Sequence, residues 1–170
     1  MKRRGVLLQA AILLALIPPA SFGQKPASSS PDAAATVKAF YTFHFQHKCD
    51  FSLPGLKLRH RWLDDALYKL MMAELKKPVK QDEVPDLDGD PFTNSQDPPN
   101  SFRVGETKQD DNNASVVVFF LWKDKNKVVD QRRVEVKLTK LANAWKISNV
   151  ISGKEEDDDL LRLLKRSGQG

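Results

Sequence analysis

The stretch Ser115-Val116-Val117-Val118-Phe119-Phe120-Leu121-Trp122 decides the fold. Eight residues, mostly β-branched or aromatic and free of Gly and Pro, favour a strand over a helix. They are apolar on both faces, so the strand belongs in the middle of a sheet. Before it, Ser101 to Lys108 reads as a strand, and Gln109-Asp110-Asp111-Asn112-Asn113 as a turn of residues that tolerate left-handed backbone. After it, Lys123 to Lys127 turns. Val128 to Lys140 then alternates, placing Val134, Val136 and Leu138 on one face and Arg133, Glu135, Lys137 and Thr139 on the other. Leu141 to Asn143 turns again. Ala144 to Ile151 forms the last strand, with Trp145, Ile147 and Ile151 inward. Short turns between successive strands make an antiparallel meander.

The region before the sheet has helical period. Ser30-Pro31-Asp32 is a helix start: a Ser cap, Pro in the first turn and an acid beside it. The helix is expected from Pro31 to Lys48, with Val37, Phe40, Tyr41, His44 and Phe45 on one aromatic face that packs on the sheet. Asp50 to Gly55 carries a Pro-Gly pair and breaks the chain. A second helix is expected from Leu58 to Lys77, with Trp62, Leu63, Ala66, Leu67, Leu70 and Met71 as its apolar stripe, ended by Pro78. Lys154 to Arg166 reads as a short C-terminal helix, acids first, four leucines next and bases last. The expected class is α+β: two N-terminal helices on a curved antiparallel sheet, plus a short C-terminal helix.

The first residues bear on location. Lys2, Arg3 and Arg4 precede an apolar run from Val6 to Ile17, then Pro18-Pro19 and small residues around Ser21 and Gly23. This is the pattern of a secretory signal peptide over 1–23, cleaved before Gln24. The run is shorter than the roughly 20 residues a membrane span needs. Cleavage removes three bases, so the formal net charge falls from +5 to +2. The basic pI is then partly a property of the signal, and no nucleic-acid partner is expected. Residues 24–30 form a small, polar leader, and about 147 residues suit one domain over 31–151 followed by the 152–170 tail. The protein is expected in the periplasm or secreted, without a stable membrane anchor. Cys49 is the sole cysteine, so no internal disulfide forms, and it reads as a small half-buried apolar residue.

Between the helical and stranded halves lies Lys80 to Ser101, long for a connection and holding Pro85, Pro91, Pro98 and Pro99. Its centre is Asp86-Leu87-Asp88-Gly89-Asp90-Pro91-Phe92-Thr93-Asn94-Ser95-Gln96-Asp97. Alternating Asp86, Asp88 and Asp90 offer hard oxygens at calcium-ligand spacing, with Asp97 at the last position of a twelve-residue loop. However, Pro91 stands where such a loop needs glycine, and Pro98-Pro99 forbids an exiting helix, so the pattern counts against an EF-hand and a looser calcium site stays as an alternative. The other reading of these carboxylates is that they bond loop amides. His44, His60 and Asp90 are the candidates for a pocket acid or base. Arg59, His60 and Arg61 open the second helix, where an anion could bind; the competing reading makes the arginines surface residues with packed stems. The chain has no Gly-rich phosphate loop, no Cys/His metal spacing and no Gly-x-Ser-x-Gly elbow.

Phe40-Tyr41, Arg59-His60-Arg61-Trp62-Leu63, the Asp88-Gly89-Asp90-Pro91-Phe92…Gln96-Asp97 loop and Ala144-Trp145-Lys146-Ile147 together resemble a bacterial family of exported proteins and lipoproteins of unknown function. That family has a nuclear-transport-factor-like, cone-shaped (cystatin-like) fold. The resemblance covers Val37 to Val150, and the Asp-Pro-Phe…Gln-Asp loop is its most specific part. It implies a curved sheet wrapped around long helices, with a pocket at the wide end. It supplies no catalytic residues, and the lipidation cysteine of the lipoprotein members is missing here. The function expected is a non-enzymatic module binding a small ligand or an envelope protein, with no required cofactor. Asp88, Asp90, Phe92, Gln96, Asp97, Arg59 and His60 are the expected site, and Asp86, Asp88 and Asp90 the metal ligands of the calcium alternative.

Overall fold

Four strands, β1 (Ser101–Gln109), β2 (Asn113–Asp124), β3 (Lys127–Leu141) and β4 (Ala144–Ile151), form one open antiparallel sheet in chain order. The computed structural model describes residues 32–78, 87, 89–155 and 158–168. The signal, the leader and Asp86 and Asp88 lie outside the described residues. Within them the chain is α+β, with helices α1 (Ala33–Gln46), α2 (Leu53–Arg59), α3 (Asp65–Glu74) and α4 (Leu160–Ser167).

The strand turns follow from local chemistry. Lys125 and Asn126 both have positive φ, as do Ala142 and Asn143. Two consecutive left-handed residues match the twist of the strands they join. The β1–β2 turn works differently: Asp110 Oδ1 accepts from the amides of Asn112 and Asn113, both at 2.8 Å. The expected central strand is central, since β2 pairs with β1 on one side and β3 on the other. Val116, Val118 and Phe120 are fully buried and face the helices with Val134, Val136, Leu138, Trp145 and Ile147. The expectation fails at the end of β4. The register slips at Ser148, so Val150 takes the buried position and Ile151 is only half-buried.

The helices differ more from expectation. Asp32, not Ser30, caps α1 by accepting from the Ala35 amide. The anticipated single helix from Leu58 to Lys77 is two. Ser52 caps α2 and Pro54 sits in its first turn, so this helix starts inside the segment expected to be a break. His60–Trp62 is one 3₁₀ turn, and Leu63 is extended (φ −91°, ψ 151°). There the chain makes a bridge to Ile147 of β4, and the Asp64 amide donates to the Ile147 carbonyl at 2.9 Å. The Asp64 side chain then caps α3 by accepting from the Leu67 amide. Leu63 is buried in the extended link and also falls on the apolar stripe of an unbroken helix, so the stripe alone does not reveal the interruption.

α1 lies across β1, β2 and β4 and brings Val37, Phe40, Tyr41 and His44 into the core. The tail docks: Asp159 caps α4, Leu160 and Leu164 are buried, and the helix packs on α3 and β4. Among the described residues no helix is long and apolar enough to cross a membrane.

Candidate functional site

A polar residue on a buried helix face needs a partner, because burying it unpaired costs on the order of 1–3 kcal/mol. His44 is such a residue, fully buried among Phe40, Tyr41 and Phe92. Its partners come from both sides. Arg59, at the end of α2, donates from Nε to His44 Nδ1 at 2.7 Å. Asp90, in the loop before β1, lies 2.7 Å from His44 Nε2 through Oδ2. A guanidinium nitrogen can only donate, so Nδ1 must offer its lone pair. The imidazole therefore carries its proton on Nε2 and donates it to Asp90.

The loop is folded around the same carboxylate. Gly89 has φ +99°, and a Cβ there would meet the Ser95 carbonyl oxygen at 2.6 Å, so only glycine fits the turn. The Asp90 amide donates to the Ser95 carbonyl at 2.9 Å. Asp90 Oδ1 accepts from the Phe92 amide, and Oδ2 accepts from Thr93 Oγ1 at 2.6 Å. Thr93 Oγ1 is also 2.7 Å from Ser95 Oγ. Tyr41 donates its hydroxyl to the Phe92 carbonyl at 2.8 Å, and the Phe92 ring is fully buried. Burial, and then the nearby Asp90 charge, hold the Tyr41 hydroxyl well above its ordinary pKa, so it stays a donor.

Arg59 was expected at the surface and is instead fully buried. Its Nη1 donates to the Gly55 carbonyl at 2.7 Å, while Nη2 has no hydrogen-bond partner among the described residues. Burial pulls its pKa below the ordinary value, and the carboxylates of Asp90 and Asp50 oppose that pull. The reason for the misplacement is the early start of α2, which turns position 59 inward rather than out at a helix N-terminus.

Cys49 completes the neighbourhood. Ligand atoms of His44, Cys49 and Asp90 all lie within 4.8 Å of one another. As it stands the geometry is that of hydrogen bonding. Two ligand atoms sharing a tetrahedral zinc sit about 3.3 Å apart, given metal–ligand bonds near 2.0–2.1 Å; Nε2 and Oδ2 are at 2.7 Å and share a proton. Burial, followed by the Asp90 charge, pushes the Cys49 thiol up to about 12, so the thiolate that a nucleophile or metal ligand requires is scarce at neutral pH. Folded protein is accordingly expected to react with iodoacetamide at pH 8 at least tenfold more slowly than protein unfolded in guanidinium. Equal rates, followed by mass spectrometry, would show that the thiol is open.

The expected site residues therefore separate. Arg59, Asp90 and Phe92 meet in the core with Tyr41, His44, Thr93 and Ser95. Of these, Tyr41, Thr93 and Ser95 were not anticipated as part of a site. The signal for them was a buried-face His and a short loop with more polar side chains than its turn uses. His60 is apart: it is half exposed, stacks on Tyr68 at 3.8 Å between ring centres and lies 3.4 Å from Asp65. The Asp90 carboxylate turns to His44 and Thr93, inward rather than toward solvent.

Gln96 and Asp97 reach a second location. An open cleft of about 470 Å³ lies between Asn94–Asp97 and the far end of the β2–β3 hairpin, where Trp122, Val129, Asp130 and Arg132 line it. Trp122 Nε1 donates to the Asp97 carbonyl at 3.2 Å. Arg132 donates to the Asn94 carbonyl, and its guanidinium lies 5.4 Å from the Trp122 ring centre. The buried cluster holds the loop from inside, and the cleft forms on the loop's outer side. No family model matches the chain, and no curated protein or solved structure matches it.

Proposed function

We propose that the chain is an exported, non-catalytic binding module whose site is the cleft between Asn94–Asp97 and the β2–β3 hairpin. One observation carries this reading. The groups able to do acid–base or nucleophilic chemistry, His44, Asp90, Arg59 and Cys49, are all buried; His44 and Asp90 bond each other, Arg59 bonds His44 and the Gly55 carbonyl, and Asp90 also bonds the loop. The loop they hold presents Gln96 and Asp97 beside Trp122 and Arg132 in an open cleft. An aromatic ring next to a guanidinium and exposed amide and carboxylate groups is the composition of a recognition surface.

Export is supported by the basic start, the short apolar run and the small residues before Gln24. The cone-shaped, nuclear-transport-factor-like reading is supported by the order of helices, loop and meander, and by α1 lying across the sheet. The acid–base alternative gains the meeting of His44 with Asp90. It is disfavoured because the far nitrogen of His44 faces Arg59 and none of the three lines the cleft. In the calcium alternative, Asp90 is the one proposed ligand among the described residues, and its oxygens face the core.

A photo-cross-linking amino acid at Gln96 tests the cleft in cells that make the protein. A discrete adduct is expected from position 96 and none from Asp111, in the turn at the other end of the sheet. Adducts from neither, or from both equally, would refute the cleft as the site.

A further inference from the structure

β3 is longer than the strand beside it. β4 pairs with Glu135–Leu141 only. Over Lys127–Arg133, β3 pairs with β2 on one side, and among the described residues no strand pairs with its other edge. At about 3.3 Å per residue this leaves about 23 Å of open edge. All seven of these residues are exposed, Val128 at 46% and Val129 at 63%.

The direction of the backbone groups can be read from one contact. The Gln131 amide donates to Asp130 Oδ1 at 2.7 Å, away from the ladder with β2. Groups that turn from one neighbour recur at every second residue of an antiparallel strand. Arg133 therefore points the same way, and Glu135, next in that series, is where β4 begins to pair. The Asp130 carboxylate stands where a neighbouring strand would put a carbonyl, and it is an exposed side chain that solvent can replace.

The charge on this edge is one-sided. Lys127, Arg132 and Arg133 outweigh Asp130, and the end of β2 with its turn adds Lys123 and Lys125 against Asp124. A second copy would set positive charge against positive charge. We propose that the free edge of β3 at Lys127–Arg133 docks an extended, acidic segment of a partner protein, which adds to the sheet as a strand. This rests on the cleft reading and extends it, because Val129, Asp130 and Arg132 belong to both edge and cleft. Backbone bonds to Gln131 and Arg133 supply affinity, alternate apolar side chains enter the cleft beside Trp122, and the acids meet the basic residues.

The probe is a fluorescein-labelled ten-residue peptide of alternating Glu and Val, followed by anisotropy. It is expected to bind, to bind at least tenfold more weakly to the Gln131→Pro variant, and to weaken as salt rises. The alternating Lys and Val peptide is expected not to bind. Proline at 131 removes an edge donor without touching the ladder to β2, so its melting temperature should match the parent. Should that variant misfold, a Glu/Val peptide N-methylated at alternate amides tests the same bonds on the unaltered protein and is expected to lose binding. Asp130→Ala is expected to tighten binding by removing both the competing carboxylate and its charge. The proposal is overturned if the Glu/Val peptide does not bind, or binds a folded Gln131→Pro variant or the N-methylated form is bound equally well. It is also overturned if the edge instead carries a concentration-dependent dimer that Gln131→Pro abolishes. Peptide binding lost in Gln96→Ala but kept in Gln131→Pro would preserve the cleft and remove the strand, whereas silence at position 96 in the cross-linking experiment removes the cleft itself.

Discussion

Asp90→Asn is expected to cost about 3–5 kcal/mol of folding stability, the range for breaking a buried pair of charges, here Asp90 and Arg59 joined through the neutral His44 ring. For a domain of this size that is a fall of roughly 10–20 °C in melting temperature. The substitution is nearly isosteric, so the effect isolates the hydrogen-bond logic. Asp90 accepts from His44 Nε2, from Thr93 Oγ1 and from the Phe92 amide. An asparagine has one acceptor oxygen. Facing it toward His44 sets its amide against the Phe92 N–H, and the reverse sets it against the His44 N–H. The ring cannot answer by moving its proton to Nδ1, because Arg59 already donates there. The Arg59 charge also loses the carboxylate that favours it most. A loss below about 1 kcal/mol, measured by urea unfolding, would mean that the cluster is hydrated and not sealed. Combining the replacement with Arg59→Met should cost less than the sum of the two single changes, since the orphaned charge leaves with its partner.

Phe92→Ala is expected to cost about 3–5 kcal/mol through lost burial and the cavity left behind. The ring is fully buried, with its centre 5.0 Å from Phe40, 5.3 Å from His44 and 6.1 Å from Phe51. Unlike the change at position 90, this one leaves the backbone amide and carbonyl of residue 92 in place to bond Asp90 and Tyr41. Phe92→Leu should therefore restore most of the loss, whereas a conservative replacement at 90 should not. Calorimetric melting of the three variants side by side separates the two causes. Equal losses for Phe92→Leu and Phe92→Ala would show that ring geometry, not volume, holds the loop.

The meander is legible in the sequence because a strand's information is local. Alternation at Val134, Val136 and Leu138 assigns the inner face, and Ala142-Asn143 marks a turn. The helix interruption at Leu63 is harder to see. Trp62, Leu63, Ala66 and Leu67 keep a helical spacing, and what breaks the helix is a bond to Ile147, far along the chain. The same limit applies to the site. His44 and Asp90 are each visible as odd residues in their own segments, but their meeting depends on how α1 and the loop pack. Arg59 misleads because a charged residue in an amphipathic stretch ordinarily faces water.

The chain order of the sheet has a consequence for how the molecule forms. Each strand neighbours the next one in sequence, so the sheet can zip through short loop closures. The clasp between α1 and the loop joins residues 46 and 51 apart, His44 to Asp90 and Tyr41 to Phe92. Such closures carry a larger entropic cost and contribute late. Weakening the clasp should then act on the lifetime of the native state rather than on its formation: in stopped-flow chevrons, Asp90→Asn raises the unfolding rate and leaves the refolding rate nearly unchanged.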